Sequence, residues 1–310
     1  MGMKLPYNLQ VILMACLLSN AGEAVAQAPK NVLSRLEVAD VKTGKRTIVY
    51  EERRHFEAPN WTADGNQFII NSGGKLYTVP VKGGTMTEIP IQPALNVNND
   101  HLIGPDGTWL AISASQAGSG QGSAIYTVPL TGGTAKRITP KTPSYLHGIS
   151  PDGKTLAYCA QRETEWDVYT VPAAGGDETR LTNAKGLDDG PEYSPDGKFI
   201  YFNSNRTGRM HLYRMQADGS GQEQLTNDAL DNWFGHPSPD GKWLVFISYL
   251  QDQGGQHPFG KDVKLRVMDL KTRKIKDLTD VFYGGQGTIN VPSWSPDSKR
   301  IAFVRYQVEP

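Results

Sequence analysis

The amino-acid sequence predicts an all-β protein, a six-bladed β-propeller of four-stranded antiparallel blades. The prediction depends on a turn motif centred on Asp-Gly, on its spacing, and on the strand patterns between its copies. The motif aspartates are Asp64, Asp106, Asp152, Asp196, Asp240 and Asp297. Subtracting each position from the next gives 42, 46, 44, 44 and 57 residues. This period is typical of a propeller blade and too long for a leucine-rich or ankyrin repeat.

Each copy of the motif has the composition of a tight turn between two strands. In Ser194-Pro-Asp-Gly197, proline fixes a backbone dihedral angle, the aspartate can accept bonds from backbone amides, and glycine adopts a left-handed conformation. An apolar strand such as Phe199–Phe202 follows, and then a second hairpin with turns such as Gly175-Gly176. A closing strand ends in Leu-Thr or Ile-Thr. One repeat therefore reads as four antiparallel strands.

The two ends of the repeat array complement each other. Residues 33–50 resemble the second hairpin of a blade, whereas residues 294–306 resemble a first hairpin. Together they predict a sixth blade closed by N- and C-terminal strands, which would leave no open sheet edge. The predicted domain is a single propeller over residues 33–310, preceded by a short segment at residues 27–32.

Residues 1–26 have the pattern of a cleaved export signal, with Lys4, an apolar run at residues 9–18, and the small residues Ala24 and Ala26. The run is too short for a transmembrane anchor, so we expect a periplasmic or secreted protein. Two alternatives are an N-terminal core helix and a lipoprotein anchored through Cys16. After cleavage only Cys159 would remain, which excludes an intrachain disulfide. Cys159 lies in an apolar strand, so we expect it to be buried as a small hydrophobic residue.

The charges balance at 32 basic and 32 acidic residues. A neutral chain offers no electrostatic basis for binding nucleic acid or an anionic membrane surface. The expected state is a monomer.

The repeats resemble those of the TolB-like propeller family, whose repeats are described as PD40 or WD40-like. The fourth repeat carries the resemblance best, with Phe202-Asn-Ser-Asn-Arg-Thr-Gly208 followed by Leu212-Tyr213. The resemblance covers residues 33–310 and implies an exported, non-catalytic propeller of the cell envelope. TolB proteins carry an α/β domain ahead of the propeller, whereas this sequence passes from the export signal to a blade strand. Prolyl-oligopeptidase-like enzymes and oligogalacturonate lyases share the repeat.

Candidate site residues lie four or five positions before the motif aspartates, where side chains of different blades are expected to converge at one mouth of the central channel. They are Asn60, His101, His147, Glu192, His236 and Ser293. The loops between blades are expected to add Asn96, Asn98, Asn99, Asp100, Tyr145, Asp188, Asp189, Asp228, Asp231, Asn232 and Trp233. An exposed Trp233 ringed by Asp and Asn could stack on a sugar or anchor a peptide.

The preferred ligand-binding set is Asn60, His101, Tyr145, His147, Asp189, Glu192, Trp233 and His236. Polar side chains that line a water-filled channel, and turn-forming Asp and Asn, are the simpler interpretation. A divalent Mn, Zn or Fe site formed by His101, His147, Glu192 and His236 is an alternative. The resemblance to oligogalacturonate lyases implies histidine ligands in this region.

The predicted function is a protein- or peptide-binding scaffold of the cell envelope, without a cofactor and without catalysis. No Gly-x-Ser-x-Gly nucleophile motif occurs in the sequence. The Gly118–Gly122 segment is expected to be a hairpin tip rather than a phosphate loop. An insertion at residues 253–260 explains the 57-residue spacing and is expected to face a partner. Alternatives are a metal-dependent polysaccharide or oligosaccharide lyase and a glycan-binding module.

Overall fold

A computed structural model describes residues 31–116 and 118–308, and all regular secondary structure in these ranges is β-strand. None of the described residues forms a helix with the length and apolar character needed to cross a membrane. The expected export signal at residues 1–26 and the alternative anchor at Cys16 lie outside the described residues. The propeller begins at Val32, one residue before the expected boundary.

The strands follow the chain blade by blade. The sixth blade begins with β1 (Val32–Asp40) and β2 (Arg46–Glu52). Blade one contains β3 (Glu57–Trp61), β4 (Gln67–Ser72), β5 (Lys75–Pro80) and β6 (Thr87–Glu88). A short β7 (Ile91–Gln92) precedes blade two, which contains β8 (Leu95–Ile103), β9 (Trp109–Gln116), β10 (Ala124–Pro129) and, after β11 (Gly133–Thr134), β12 (Lys136–Arg137). The short strands β7 and β11 pair in parallel beside it.

The remaining blades repeat this order. Blade three contains β13 (Ser144–Ile149), β14 (Thr155–Arg162), β15 (Glu165–Pro172) and β16 (Thr179–Arg180). Blade four contains β17 (Asp188–Tyr193), β18 (Phe199–Ser204), β19 (His211–Gln216) and β20 (Glu223–Gln224). Blade five contains β21 (Asp231–Pro237), β22 (Trp243–Tyr249), β23 (Phe259–Asp269) and β24 (Ile275–Asp277), and β25 (Phe282–Gly285) pairs with the start of β23. The chain ends in β26 (Arg300–Val308).

The ring closes in the predicted way. Strand β26 pairs with β1 from Val32 opposite Val308 to Asp40 opposite Arg300, so both chain ends contribute to the sixth blade. The inner position of this blade is an irregular segment, which bonds β26 through the carbonyls of Thr288 and Ser293. The six-bladed propeller with a shared last blade is confirmed.

The hydrophobic core is divided into six clusters of buried side chains among the described residues. Each cluster lies between two neighbouring blades. Because successive side chains of a strand point to opposite faces, β4 contributes to two clusters. Phe68 and Ile70 pack towards the sixth blade, whereas Ile69 packs towards blade two. The cluster between blades five and six, which includes Val267 and Phe303, completes the circle.

The repeated turn has the predicted chemistry. In blade four, the Ser194 hydroxyl donates to Asp196 Oδ1 at 2.7 Å, and the same oxygen accepts from the backbone amide of Lys198 at 3.2 Å. The glycines after the first five aspartates have φ between 69° and 71°. At the sixth turn, Ser298 adopts φ 59°.

The recurring threonine of the Leu-Thr motif fastens the outer strand to its neighbour. The hydroxyl of Thr182 accepts from the Val168 amide at 2.9 Å, and that of Thr226 accepts from the Leu212 amide at 3.0 Å. Thr139 and Thr279 make the equivalent bonds in blades two and five. The motif therefore satisfies a backbone donor beyond the end of a very short outer strand.

Candidate functional site: the channel mouth

The first strands of successive blades contact one another around the centre of the ring, which makes them the channel wall. Each of the five regular inner strands, β3, β8, β13, β17 and β21, contains a register shift against its second strand. Three shifts include a residue with positive φ, namely Ala58, Gly190 and Phe234. Such bulges redirect side chains and are frequent beside functional sites.

Strand pairing corrects the prediction that the six counted-back residues occupy equivalent positions. Asn60, Glu192 and His236 pair with the residues five positions after their motif aspartates. In blades two and three that position belongs to Leu102 and Gly148 instead. The histidines of those blades lie one residue earlier. Successive side chains of a strand point to opposite faces, so one residue changes what a side chain contacts.

The prediction that His101 lines the channel mouth is therefore wrong. It is completely buried, with Nε2 3.2 Å from the carbonyl oxygen of Ile69 in blade one. Burial lowers the pKa of its imidazole to about 4, so His101 is neutral at pH 7. It joins two blades rather than facing a ligand.

Asn60 also has a structural role. Its amide donates to the Pro292 carbonyl at 2.7 Å, and its oxygen accepts from the Ile103 amide at 3.2 Å. These partners belong to the two blades that flank blade one. Ser293 is likewise buried, and its hydroxyl donates to the Val291 carbonyl at 2.7 Å.

His147 and Asp189 do come together at the mouth, from blades three and four. His147 Nε2 lies 3.2 Å from Asp189 Oδ1, and its ring stacks on Phe234 at 5.7 Å. Burial alone would lower the pKa of His147, but Asp100, Asp189 and Glu192 together raise it. The neighbouring His147 keeps the pKa of Asp189 at about 2 against the effect of burial. The Asp189 carboxyl is therefore ionised at neutral pH, and the surrounding acids favour the protonated form of His147.

Glu192 and His236 form a second pair, between blades four and five. Glu192 Oε2 lies 2.5 Å from His236 Nδ1, and His236 Nε2 donates to the Ile289 carbonyl. Burial raises the pKa of the Glu192 carboxyl, and His236 opposes this effect. Both ring nitrogens of His236 are thus engaged within the protein.

Most residues assigned to loops between blades lie within the inner strands, which begin earlier than expected. Asn96, Asn98, Asn99 and Asp100 belong to β8, Tyr145 to β13, Asp188 and Asp189 to β17, and Asp231, Asn232 and Trp233 to β21. Asp228 lies in a loop and binds Arg266. Several of these side chains are structural: Asp188 binds Arg206 at 2.8 Å, on the face opposite Asp189.

The expected exposed aromatic residue is not exposed. Trp233 is completely buried, and its ring lies 4.5 Å from that of His257 and 5.7 Å from that of Phe234. Tyr145 is half-buried, with its ring 5.9 Å from that of Trp166. Trp233 therefore presents no open stacking platform, which requires an exposed ring face.

Sequence reasoning missed Glu57 and His257. Glu57 lies seven residues before Asp64, the same offset that separates Asp189 from Asp196, and this offset could have identified it. The Glu57 side chain accepts a 3.3 Å bond from the Asn99 amide. His257 comes from the blade-five insertion, and its Nε2 lies 3.8 Å from Asp189 Oδ2. The insertion thus packs over the mouth. The Gly118–Gly122 segment joins β9 and β10, as a hairpin tip should.

The alternative metal site does not assemble. In the described part of the chain, no group of three or more His, Cys, Asp or Glu side chains could hold a metal ion. His101 faces away from the mouth and His236 uses both nitrogens internally. A metal site requires ligands that converge with free donor atoms, so the four proposed ligands do not fit one.

The mouth is chemically an acidic recess. Carboxyl groups from three blades face it. Acids of blades two and four raise the pKa of His147 in blade three, and Asp100 of blade two adds to the effect of burial in raising the pKa of Glu57 in blade one. The acids are Glu57, Asp100, Asp189 and Glu192. Paired and hydrogen-bonded groups of this kind can orient and bind a polar segment.

Comparison with known proteins identifies the repeats. The family described as the TolB beta propeller domain matches residues 7–163 and 143–309. A protein of Agrobacterium fabrum described as uncharacterized is 46% identical over 274 residues, which cover 88% of this chain and 92% of that protein. The match therefore extends over nearly the whole propeller.

Solved structures have the same architecture. A TolB-like protein from Agrobacterium tumefaciens is 44% identical and covers 89% of this chain and 99% of its own, with a TM-score of 0.85. TolB from Acinetobacter baumannii is 20% identical over 84% of this chain and 65% of its own, with a TM-score of 0.60. An oligogalacturonate lyase in complex with manganese is 13% identical over 90% of this chain and 98% of its own, with a TM-score of 0.52. The last two likenesses concern the fold alone.

Proposed function

Since the chain belongs to the TolB β-propeller family, we propose that it is an exported, non-catalytic scaffold that binds a protein or peptide partner at the channel mouth. The observation that carries the proposal is the convergence of acidic and histidine side chains from neighbouring blades beneath the blade-five insertion. His147 from blade three, Asp189 from blade four and His257 from the insertion are in contact there. Rigid scaffolds commonly present binding residues in this way.

The state of these side chains supports binding rather than turnover. His147 is held by Asp189, and His236 is held by Glu192 and a backbone carbonyl. A general acid or base must exchange its proton with substrate, whereas these imidazoles hold theirs within internal pairs. The burial of Trp233 favours a peptide over a sugar, because it removes the aromatic platform on which a sugar ring would stack.

Site-specific photo-crosslinking in the producing cell tests this function. A photoreactive amino acid at Gln256, exposed in the insertion, should crosslink one discrete envelope protein. The same group at Lys271, exposed in the hairpin between β23 and β24 at the opposite end of the ring, is the matched control. Cell fractionation of the same cultures should place the protein outside the cytoplasm.

Three results would contradict the proposal: equal crosslinking from both positions, recovery of the folded protein in the cytoplasm, or conversion of an oligosaccharide by the purified protein. An Asp189→Asn variant with the same photoreactive group at Gln256, produced and crosslinked in the same cells, provides a second arm. We expect it to lose the Gln256 crosslink, since Asp189 connects the inner strand to the insertion.

A further inference from the structure

We propose that the channel mouth contains a binding site for a primary ammonium group, formed by Glu57, Tyr306 and the aromatic side chains beside them. The inference rests on the proposed function and deepens it, because it assigns a chemical group to the partner: the ammonium of a lysine side chain or of a chain N-terminus. A small free amine has the same chemistry. The experiment below separates these sources.

The Glu57 carboxylate lacks a cationic partner at neutral pH in the described part of the chain. Its nearest candidate is His55, with Nε2 3.9 Å from Glu57 Oε2. Burial lowers the pKa of His55 to about 4, so this imidazole is neutral at pH 7. The bond from Asn99 is 3.3 Å long and comes from a neutral amide. A largely buried carboxylate without a cation either takes up a proton or is compensated by a ligand, and at pH 8 a cationic ligand would supply the missing charge.

The Tyr306 hydroxyl is an independent sign of an unfilled site. Tyr306 is 4% exposed, and its hydroxyl has no hydrogen-bond partner among the described residues. Buried polar groups without partners are rare in native proteins. The hydroxyl borders Gly287, where an added Cβ would come within 3.0 Å of both the hydroxyl and Glu57 Oε2. The two oxygens therefore lie close together beside Gly287, which has no side chain to separate them.

Aromatic rings form the walls of this space. The Tyr306 ring stacks on His55 at 5.3 Å and meets Phe259 at 4.6 Å, while His55 and Phe259 meet edge to face at 5.3 Å. Phe259 is half-buried and the His55 side chain is 25% exposed, so the walls are reachable from solvent. Rings beside a carboxylate attract a cation through their quadrupoles.

The chemistry favours ammonium over other cations. A metal ion would require a set of oxygen or nitrogen ligands that the described residues do not assemble here. An ammonium group is compact and has three donors, which suits a carboxylate and a phenolic oxygen that lie close together. The charge of Asp100 reaches Glu57 and raises its pKa together with burial. This second acid from blade two adds to the attraction for a cation.

Isothermal titration calorimetry of the purified protein at pH 8 tests the site with three probes: Nα-acetyl-lysine amide, its Nε-acetylated form, and methylammonium. We expect the lysine derivative to bind and the Nε-acetylated form not to bind. Glu57→Gln should weaken binding at least about tenfold, and Tyr306→Phe by about threefold, as losses of a charged and a neutral hydrogen bond. Glu88→Gln, on the exposed side of the same blade, should bind like the natural protein.

Equal binding of the acetylated probe, or unchanged binding by Glu57→Gln, would overturn the inference. Binding of methylammonium as tight as that of the lysine derivative would assign the site to free amines rather than to a peptide. The crosslink at Gln256 separates this inference from the proposed function. A crosslink that persists in Glu57→Gln leaves the scaffold role intact and removes the ammonium site. Binding of the lysine derivative without any crosslinked partner would keep the ammonium site and contradict the scaffold role.

Discussion

His147 and Asp189 hold each other across the boundary between blades three and four, with Nε2 and Oδ1 3.2 Å apart. Both side chains are at least nine-tenths buried. Removing one partner from such a pair leaves an uncompensated buried charge. The contact therefore joins two blades and fixes the geometry of the channel mouth.

The first prediction concerns this pair. Asp189→Asn should lower the free energy of unfolding by about 3 kcal/mol, because it removes the carboxylate that pairs with the buried His147. It should also lower the pKa of His147, which the acids of the mouth raise in the native protein. Chemical denaturation and an NMR titration of His147 measure the two effects. Glu88→Gln, which removes an exposed ion pair, should change stability by less than about 1 kcal/mol.

The second prediction is a pH dependence of stability caused by Glu57. Burial raises the pKa of this carboxyl from 4.5 to about 7, so the folded state binds its proton more tightly than the unfolded chain. Stability should therefore fall as the pH rises from 4.5 to about 7. The groups that face Glu57 are His55, Asn99, Asp100 and Tyr306.

Glu57→Gln should remove this dependence and should stabilise the protein at pH 8 by on the order of 2 kcal/mol. Denaturation series at pH 5, 6, 7 and 8 measure the difference between the variant and the natural protein. A parallel pH dependence of the two proteins would contradict the assignment to Glu57.

The third prediction concerns the one turn that lacks glycine. Ser298 adopts φ 59°, where the other five turns have glycine. Its hydroxyl also accepts a 3.0 Å bond from the Asp240 amide. Ser298→Gly and Ser298→Ala both lose that bond, but only glycine relieves the left-handed conformation. Ser298→Gly should thus be more stable than Ser298→Ala by about 1 kcal/mol, as thermal unfolding can determine. Equal stabilities of the two variants would contradict backbone strain at Ser298.

The fourth prediction tests the closure of the ring. Phe303 on β26 is completely buried and its ring lies 5.4 Å from that of Phe282 in blade five. Phe303→Ala should lower the free energy of unfolding by about 4 kcal/mol, through lost burial and the cavity it leaves. Val308→Ala on the same strand, at a side chain that is 40% exposed, should have an effect below about 0.5 kcal/mol. A small effect of Phe303→Ala would mean that the closing blade contributes little to stability.

The fifth prediction concerns Cys159. Burial raises the pKa of its thiol well above the usual value, and nearby Asp189 and Asp188 add to the effect. The thiolate is the reactive form. Cys159 should consequently resist a thiol reagent in the native protein and react at once in denaturant. Rapid labelling of the folded protein would contradict this expectation.

Much of the fold could be predicted because its determinants are local. A motif such as Ser194 to Gly197 encodes its own reversal, and the spacing of the motifs fixes the blade length. Ring closure also followed from the sequence, since the two ends supply complementary hairpins. The candidate site could be predicted only in part. His147, Asp189, Glu192 and His236 do lie in two pairs that bridge blades three to five.

Trp233 occupies the same register position as Glu57 and Asp189. It was misjudged because its burial depends on packing against Phe234 and His257. His101 was misjudged for a different physical reason. The bulges in the inner strands do not occur at a constant distance from the motif aspartate, and a shift of one residue turns a side chain to the other face. Counting residues cannot detect such a shift. The same limit hid His257, which reaches the mouth from an insertion.

By itself, the sequence determined the number of blades, the turn chemistry and the joining of the two chain ends, because these depend on short-range patterns and their period. Only the tertiary structure decided which polar groups meet at the mouth. Contacts such as that of Glu57 with Asn99 and the close approach of Glu57 and Tyr306 beside Gly287 depend on how neighbouring blades are placed against one another. The packing of separate sheets fixes that placement, and no single repeat contains it.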